Sequence, residues 1–201
     1  RAISLTQSTE LGTVYSPDEL KAIWAKAKAH GLKMHMDGAR FANAVAALGC
    51  APADVTARAG VDVLSFGASK NGAMSAEAVV FFDTTRVADF ELRRKRAGHL
   101  QCKGRYLAAQ ILAMLEDGLW LANAAHANAA AREVAAGCGE RLLHPVEANE
   151  LFVHLTEAER AALRAQDFAF YDWGPDSARF VTAWNTRPED AAALGKAIAA
   201  L

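Results

Sequence analysis

Short apolar segments alternate with helical segments over the first 85 residues, and this alternation restricts the possible folds more than any other feature of the sequence. The stretch SPDELKAIWAKAKAHG predicts a helix that begins after the N-cap Ser16 and ends at Gly31. The segments on either side of it, RAISLTQ and LKMHMD, predict strands. Strands that alternate with helices indicate an α/β fold with a mostly parallel sheet. The strands are nearly all apolar, which predicts a sheet that is covered on both faces.

The rest of the chain predicts connecting helices and a second, smaller domain. The region from about residue 84 is rich in Ala, Leu, Arg and Lys, and predicts two or three long helices that are interrupted near Gly98 and Gly118. Beyond these helices, short strands and helices alternate again. We therefore expect a partial large domain with connecting helices over residues 1–137 and a small C-terminal α+β domain over residues 138–201.

Composition argues against several classes of protein. A net charge of −1 at pH 7 gives no basic surface, so we expect no nucleic acid partner and no membrane partner. Cys50, Cys102 and Cys138 form no CxxC pair, so neither a disulfide framework nor a metal site is expected. No apolar run approaches the roughly 18 residues of a membrane helix. The composition therefore predicts a cytoplasmic protein that binds a small molecule.

A carboxylate and a lysine follow two of the predicted strands. Asp37 ends LKMHMD, and Lys70 lies in SFGASKNG, directly after the strand VDVLSF. In parallel sheets, ligands bind beyond the carboxyl ends of the strands. Pyridoxal 5′-phosphate chemistry uses such a pair, because the lysine forms a Schiff base with the aldehyde while the carboxylate keeps the pyridine nitrogen protonated. From these residues alone, a turn aspartate and a solvated loop lysine remain the alternative.

Longer motifs surround this pair. HMDGARFANAVAALG, VDVLSFGASKNG and EAVVFF together resemble the low-specificity L-threonine aldolases, which are pyridoxal-phosphate enzymes of the aspartate-aminotransferase fold, also called fold type I. QSTELGTVYSPDEL resembles the bacterial branch of that family that includes phenylserine aldolases. The resemblance implies that the first domain is the C-terminal part of a fold-type-I large domain, whose amino-terminal part precedes this sequence. It also implies a homodimer or homotetramer.

The resemblance assigns roles to individual residues. Lys70 matches the Schiff-base lysine, and Asp37 matches the aspartate that pairs with the pyridine nitrogen. Arg40 matches the arginine beside the phenolic oxygen of the cofactor and the substrate carboxylate, and Arg179 matches the arginine that binds the substrate α-carboxylate. Ser69 precedes the lysine, where hydroxyls of this fold commonly contact the cofactor phosphate; its alternative role is that of a turn residue.

Some of these residues have simpler interpretations. Arg40 could lie on a helix surface, and Arg179 could lie in a surface strand and pair with an acid such as Asp176. His35 precedes Asp37 by two residues and so points to the same side of the strand, where it could orient the carboxylate. We expect His35 to be a buried, hydrogen-bonded core residue.

The resemblance implies a carbon–carbon lyase that cleaves L-threonine, L-allo-threonine or a related β-hydroxy-α-amino acid to glycine and an aldehyde. The base for the β-hydroxyl proton is expected outside this chain. One alternative is another fold-type-I enzyme, an aminotransferase or a β-elimination lyase, which would share Lys70 and Asp37. The other alternative is an inactive fragment that lacks about half of the cofactor pocket.

Overall fold

The larger of two sheets has four strands in the order β1-β2-β3-β4. A computed structural model describes residues 1–201, with the exception of the side chain of Arg86. Strands β1 to β3 are parallel, and β4 runs antiparallel to β3. The predicted α/β fold with a mostly parallel sheet is therefore confirmed. The strands are β1 (Ala2–Thr6), β2 (Lys33–Gly38), β3 (Val63–Gly67) and β4 (Glu77–Phe81).

Helices connect the parallel strands. Helix α1 (Pro17–Ala29) follows β1 and begins with the predicted capping box. The hydroxyl of Ser16 accepts a hydrogen bond from the backbone N–H of Glu19 at 3.2 Å, and the Glu19 carboxylate accepts one from the N–H of Ser16 at 2.8 Å. Two donors that would otherwise be unpaired at the helix start are thereby satisfied. Helix α2 (Phe41–Leu48) follows β2, and two short 3₁₀ turns lead on to β3.

The two faces of the larger sheet differ in polarity. One face carries side chains that are buried in the main hydrophobic core, among them Leu5, Met36 and Phe66. On the other face, His35 Nδ1 lies 2.8 Å from the hydroxyl of Ser4, and its Nε2 lies 3.0 Å from the hydroxyl of Ser65. These three side chains are only partly buried or exposed.

The face that carries His35 is therefore polar and partly exposed, and the expectation that the sheet is covered on both faces stays a prediction. Polar residues recur at every second position in β1 and β2, and the alternation of side chains along a strand places them together on one face. His35 is hydrogen-bonded, as expected, but it is only partly buried.

Three helices follow the larger sheet: α3 (Phe90–Arg96), α4 (Arg105–Leu115) and α5 (Leu119–Ala136). The breaks between them fall at the two predicted glycines. Gly98 and Gly118 have φ angles of 78° and 71°, in the left-handed region that glycine adopts without steric cost. Each glycine therefore lets the chain change direction before the next helix.

The smaller sheet is antiparallel, with the order β5-β7-β6. Its core includes residues of helices α5, α6 and α7, such as Val134, Leu163 and Ile198. This is the predicted small α+β unit. The boundary near residue 137 stays a prediction, because α5 contributes side chains to both hydrophobic cores. The remaining elements are β5 (Glu150–His154), α6 (Glu157–Arg164), β6 (Tyr171–Asp172), β7 (Ser177–Val181) and α7 (Pro188–Ala199).

A pair of buried asparagines joins helix α5 to helix α2, which follows β2 of the larger sheet. The side chain of Asn43 in α2 donates to Asn128 Oδ1 at 3.0 Å, and Asn128 Nδ2 donates to the backbone carbonyl of Asn43 at 2.9 Å. Both side chains are almost fully buried. Since a buried amide without partners is costly, this pair fixes the position of α5 relative to α2.

Replacing Asn128 by alanine should lower the free energy of unfolding by about 1–3 kcal/mol, because the buried amide of Asn43 loses its acceptor. Urea unfolding measures the loss. Glu133→Ala, at an exposed position of the same helix, is the control and should cost no more than about 0.5 kcal/mol. In the double variant with Asn43→Ala, the two losses should be less than additive. Equal effects of Asn128→Ala and the control would contradict this role.

Candidate active site

The carboxyl ends of the three parallel strands meet at one edge of the larger sheet. Asp37 in β2 lies in register with Thr6 in β1 and with Ser65 in β3. Lys70 follows the end of β3 in a short turn, Ser69–Asn71. The parallel arrangement thus brings Asp37 and Lys70, which are far apart in the sequence, to the same edge.

A polar cavity of about 240 Å³ lies at this edge. Asp37, Arg40, Lys70 and Arg179 line it, so the structure brings these four predicted site residues together. Ser69 is not among the lining residues; its backbone N–H lies 3.2 Å from Glu77 Oε1, and its role at a phosphate stays a prediction. The cavity is also lined by residues without a predicted role, namely Thr6, Ser8, Thr9, Glu10 and Ala39.

Close packing of the backbone sets the position of Asp37. A Cβ atom added to Gly38 would lie 2.8 Å from the carbonyl oxygen of Ser65 and 2.7 Å from a methyl carbon of Leu64. A Cβ atom added to Gly67 would lie 2.8 Å from Cα of Ala39. These two positions therefore accept only glycine without a shift of the backbone, and the ends of β2 and β3 can approach each other closely.

The carboxylate of Asp37 is oriented by its own loop. Its Oδ1 accepts a hydrogen bond from the backbone N–H of Ala39 at 3.0 Å. This bond fixes one carboxylate oxygen and leaves the second for a ligand in the cavity.

The turn that carries Lys70 is anchored to helix α5. The buried side chain of Asn71 donates to the carbonyl oxygen of Trp120 at 2.8 Å, and Asn123 Nδ2 donates to the carbonyl oxygen of Asn71 at 2.9 Å. Lys70 itself is exposed, and no carboxylate of the described side chains forms a salt bridge with its ammonium group. The structure therefore anchors the backbone of Lys70 and leaves its side chain without a salt bridge at the cavity.

Two arginines share one buried carboxylate at the cavity. Oε1 of Glu150, the first residue of β5, accepts hydrogen bonds from Nε of Arg179 at 2.9 Å and from Nη2 of the same side chain. Arg40 Nη2 lies 3.2 Å from the same oxygen. Arg179 therefore pairs with Glu150 and not with Asp176, and Arg40, whose side chain is 15% exposed, does not lie on a helix surface.

Burial and charge act in opposite directions on Arg40. Burial lowers the pKa of its guanidinium, the charge of Glu150 raises it, Arg179 lowers it further and Glu10 raises it. A guanidinium remains protonated in proteins despite such a shift. Arg40, Arg179 and Glu150 together carry one net positive charge, which suits an anionic group beside the arginines. Glu10, which also lines the cavity, offsets part of this charge.

Two buried polar atoms at the cavity have no hydrogen-bond partner among the described residues: the hydroxyl of Ser8 and Nε of Arg40. Such atoms are rare in folded proteins and commonly mark a site that a ligand or water completes. Both side chains line the cavity. The cavity therefore offers two hydrogen-bonding groups that no residue of the chain satisfies.

The family described as "Beta-eliminating lyase" matches residues 1–158. The chain belongs to this family. A low specificity L-threonine aldolase from a Pseudomonas species is 49% identical, with 92% of this chain and 55% of the relative covered. This lyase-family chain thus spans about half the length of that curated relative. The comparison confirms the resemblance to threonine aldolases.

Solved structures agree with the fold of this lyase-family chain. The threonine aldolase of Leishmania major superposes with a TM-score of 0.92 at 31% identity, with 98% of this chain and 60% of that chain covered. A probable N-succinyldiaminopimelate aminotransferase from Thermus thermophilus superposes with a TM-score of 0.72 at 18% identity, with 100% and 58% covered. The second likeness shows the fold alone. The expected fold-type-I architecture is confirmed.

The residues of the cavity fit pyridoxal 5′-phosphate, on which threonine aldolases of this family depend. Lys70 offers an unpaired amine for the aldehyde carbon, and Asp37 offers a carboxylate oxygen for the pyridine nitrogen. The unpartnered Ser8 hydroxyl and the arginine pair suit the oxygens of an anionic ligand. Among the described residues, no cluster of His, Cys, Asp and Glu could hold a metal ion.

Sequence reasoning missed Glu150. A glutamate at the start of an otherwise apolar strand, ELFVHL, is a signal that could have pointed to a buried ion pair. Its two partners could not be read from the sequence, because both are distant along the chain: Arg179 lies in the neighbouring strand β7, and Arg40 follows β2 of the other sheet.

Replacing Gly38 by alanine should displace the end of β2 and lower the free energy of unfolding by about 1–3 kcal/mol, because the carbonyl oxygen of Ser65 cannot move aside as a side chain could. It should also weaken the binding of pyridoxal phosphate to the full-length protein, measured by absorbance titration. Gly104→Ala is the control, since its Cβ would make an ordinary contact at 3.5 Å. Unchanged stability and cofactor affinity in Gly38→Ala would refute the close-packing argument.

Proposed function

We propose that the whole protein is a pyridoxal-phosphate-dependent carbon–carbon lyase that cleaves L-threonine, L-allo-threonine or a related β-hydroxy-α-amino acid to glycine and an aldehyde. The observation that carries the proposal is the cavity in which Lys70, Asp37 and the arginine pair meet. The 49% identity to a low specificity L-threonine aldolase supports the substrate class. Since the chain spans 55% of that relative, the activity is assigned to the whole protein.

Lys70 and Asp37 hold the two ends of the reactive part of the cofactor. The bound cofactor supplies an electron sink that stabilises negative charge at Cα of the amino acid. Lys70 would hold the cofactor through its aldehyde carbon. Asp37 would accept a hydrogen bond from the protonated ring nitrogen and favour its charged form, while the bond from the N–H of Ala39 keeps the carboxylate in position.

Arg179 and Arg40 determine which bond of the substrate breaks. A guanidinium binds a carboxylate through parallel hydrogen bonds, which fixes the orientation of the other bonds at Cα. With the substrate held in this way, a base outside this chain would take up the β-hydroxyl proton, and cleavage of the Cα–Cβ bond would release the aldehyde and leave the electron pair at Cα. A proton added to Cα then gives glycine.

Other enzymes of the same fold would use the same lysine and aspartate for a different reaction. An aminotransferase or a β-elimination lyase would use Lys70 and Asp37 in the same positions, but it would break a different bond and release a keto acid. The aminotransferase from Thermus thermophilus is only 18% identical in sequence, so its similarity supports the fold alone. The identity to a threonine aldolase favours aldol cleavage.

The proposed setting of the enzyme is the cytoplasm, where it forms a homodimer or homotetramer and takes a small amino acid as its substrate. Three free cysteines are typical of a reducing compartment. Among the described residues, no helix is both long and apolar enough to span a membrane. Exposed apolar side chains on the connecting helices, such as Leu92, Tyr106 and Leu112, are of the kind that subunit contacts cover.

Borohydride reduction of the full-length protein with pyridoxal phosphate should attach the cofactor to Lys70, because its amine lies free at the cavity. Peptide mass spectrometry locates the label. Lys70→Ala should abolish the label and lower kcat roughly a thousandfold or more, whereas Lys21→Ala, on the exposed face of α1, should change neither. A label on another lysine, or none in the full-length protein, would overturn the assignment.

A further inference from the structure

We propose that Glu150 is a positioning residue that holds the guanidinium groups of Arg40 and Arg179 in place for the α-carboxylate of the substrate. This inference rests on the proposed function, because it assigns a role within the same site. It adds a residue that neither the sequence motifs nor the family resemblance singled out.

The contacts of Glu150 tie the two arginines to one point. Its Oε1 accepts hydrogen bonds from both Nε and Nη2 of Arg179, so one edge of that guanidinium is fully engaged. Arg40 Nη2 reaches the same oxygen at 3.2 Å. Because both side chains meet at a single atom, Glu150 fixes the distance and the angle between them. This pairing uses two of the five N–H groups of Arg179 and leaves both N–H groups of Nη1 and the second N–H group of Nη2 for a ligand.

The burial of Glu150 shows whether its carboxylate supports the arginines from behind or competes with the substrate for them. Arg40 and Arg179 line the cavity, whereas Glu150 does not, and its side chain is only 2% exposed. The carboxylate therefore lies behind the arginines and not in the space that a substrate would occupy. A carboxylate that merely stood in for the substrate would lie in the cavity itself.

Charge explains why a carboxylate is needed at this position. Two guanidinium groups side by side repel each other, and Arg179 lowers the pKa of Arg40 while Glu150 raises it. Glu150 offsets one of the two positive charges and reduces the repulsion. These three side chains keep one net positive charge, part of which Glu10 at the cavity offsets, so the arginines still attract the carboxylate of a ligand.

The fold holds Glu150 from several sides. Phe152 pairs with Arg179 across β5 and β7, so Glu150, two residues earlier, lies on the same face of the sheet as Arg179. A Cβ atom added to Gly12 would lie 2.8 Å from the carbonyl oxygen of Glu150, so the loop after β1 packs directly against it. The N–H of Ala148 donates to the carbonyl oxygen of Gly12 at 3.1 Å and secures this contact.

The test compares two ligands of the full-length protein with pyridoxal phosphate bound. Glycine has the carboxylate that the arginines would bind, and glycinamide replaces it with a neutral amide. The Kd of each ligand is measured from the absorbance change of the cofactor. Glu150→Gln keeps the shape of the side chain and removes its charge. We expect it to raise the Kd of glycine about tenfold or more and that of glycinamide less than about twofold.

Glu147→Gln is the matched control. Glu147 is exposed three residues earlier, and its Oε2 accepts a hydrogen bond from the N–H of Val14 at 2.7 Å. It thus also bridges to the loop after β1, but it contacts neither arginine. Neither Kd should change in this variant. If Glu150→Gln does not fold, Glu150→Asp keeps the charge on a shorter side chain and should give a smaller loss that is again confined to glycine.

Three outcomes overturn the inference. Equal weakening of both ligands, or no change in either, would mean that Glu150 has only a structural role. Tighter binding of glycine in Glu150→Gln would mean that Glu150 competes with the substrate for the arginines. Failure of the wild-type protein to bind glycine or to cleave L-threonine would instead refute the proposed function, which separates the two results.

Discussion

A single carboxylate oxygen, Oε1 of Glu150, joins the two sheets of this chain at the cavity. Its partners come from different parts of the fold, since Arg40 follows β2 of the larger sheet and Arg179 lies in β7 of the smaller sheet. The cavity occupies the place where these parts meet. Any displacement of one sheet relative to the other would separate the arginines. The geometry of the candidate site therefore depends on how firmly the two sheets are held together.

The ion pairs of Glu150 with the two arginines do not by themselves explain why the two sheets stay in fixed positions. Removing charges from water costs about as much free energy as their attraction returns, so buried salt bridges contribute little net stability. Hydrogen bonds of buried asparagines hold the sheets against α5 without removing charged groups from water. Asn128 in α5 pairs with Asn43, and Asn71 anchors the Lys70 turn to the same helix. The hydroxyl of Thr182, just after β7, donates to the carbonyl oxygen of Ala127 in α5 at 2.7 Å. Helix α5 thus fixes both sheets, which leaves the arginines available for ligand binding and Glu150 available to position them.

Local signals made much of the fold predictable. The capping box at Ser16 and the glycines between the later helices act through contacts within a few residues, so they can be read directly from the sequence. Asp37 and Lys70 could be placed at one edge because the carboxyl ends of parallel strands must share it. The polar face of the larger sheet was also visible in the alternation of residues around His35, but the apolar neighbours Met34 and Met36 obscured it.

The contacts of Glu150 could not be predicted, because its partners are distant along the sequence. Glu150 meets Arg179 across a strand pair and Arg40 across two sheets, and no local pattern specifies either contact. An arginine in a strand has several acidic neighbours in the sequence, and the nearest of them, Asp176, is not its partner. The register of β5 against β7 decides between them, and it is fixed by the hydrophobic core of the smaller sheet.

Product analysis tests the central claim most directly. The full-length protein is incubated with pyridoxal phosphate and L-threonine, and the products are identified by mass spectrometry and by an aldehyde-trapping reagent. Aldol cleavage requires glycine and acetaldehyde in equal amounts, and this is the result we expect. A keto acid that retains all four carbons of threonine, without glycine, would contradict the assignment and place the protein among the eliminating or transaminating enzymes of the same fold.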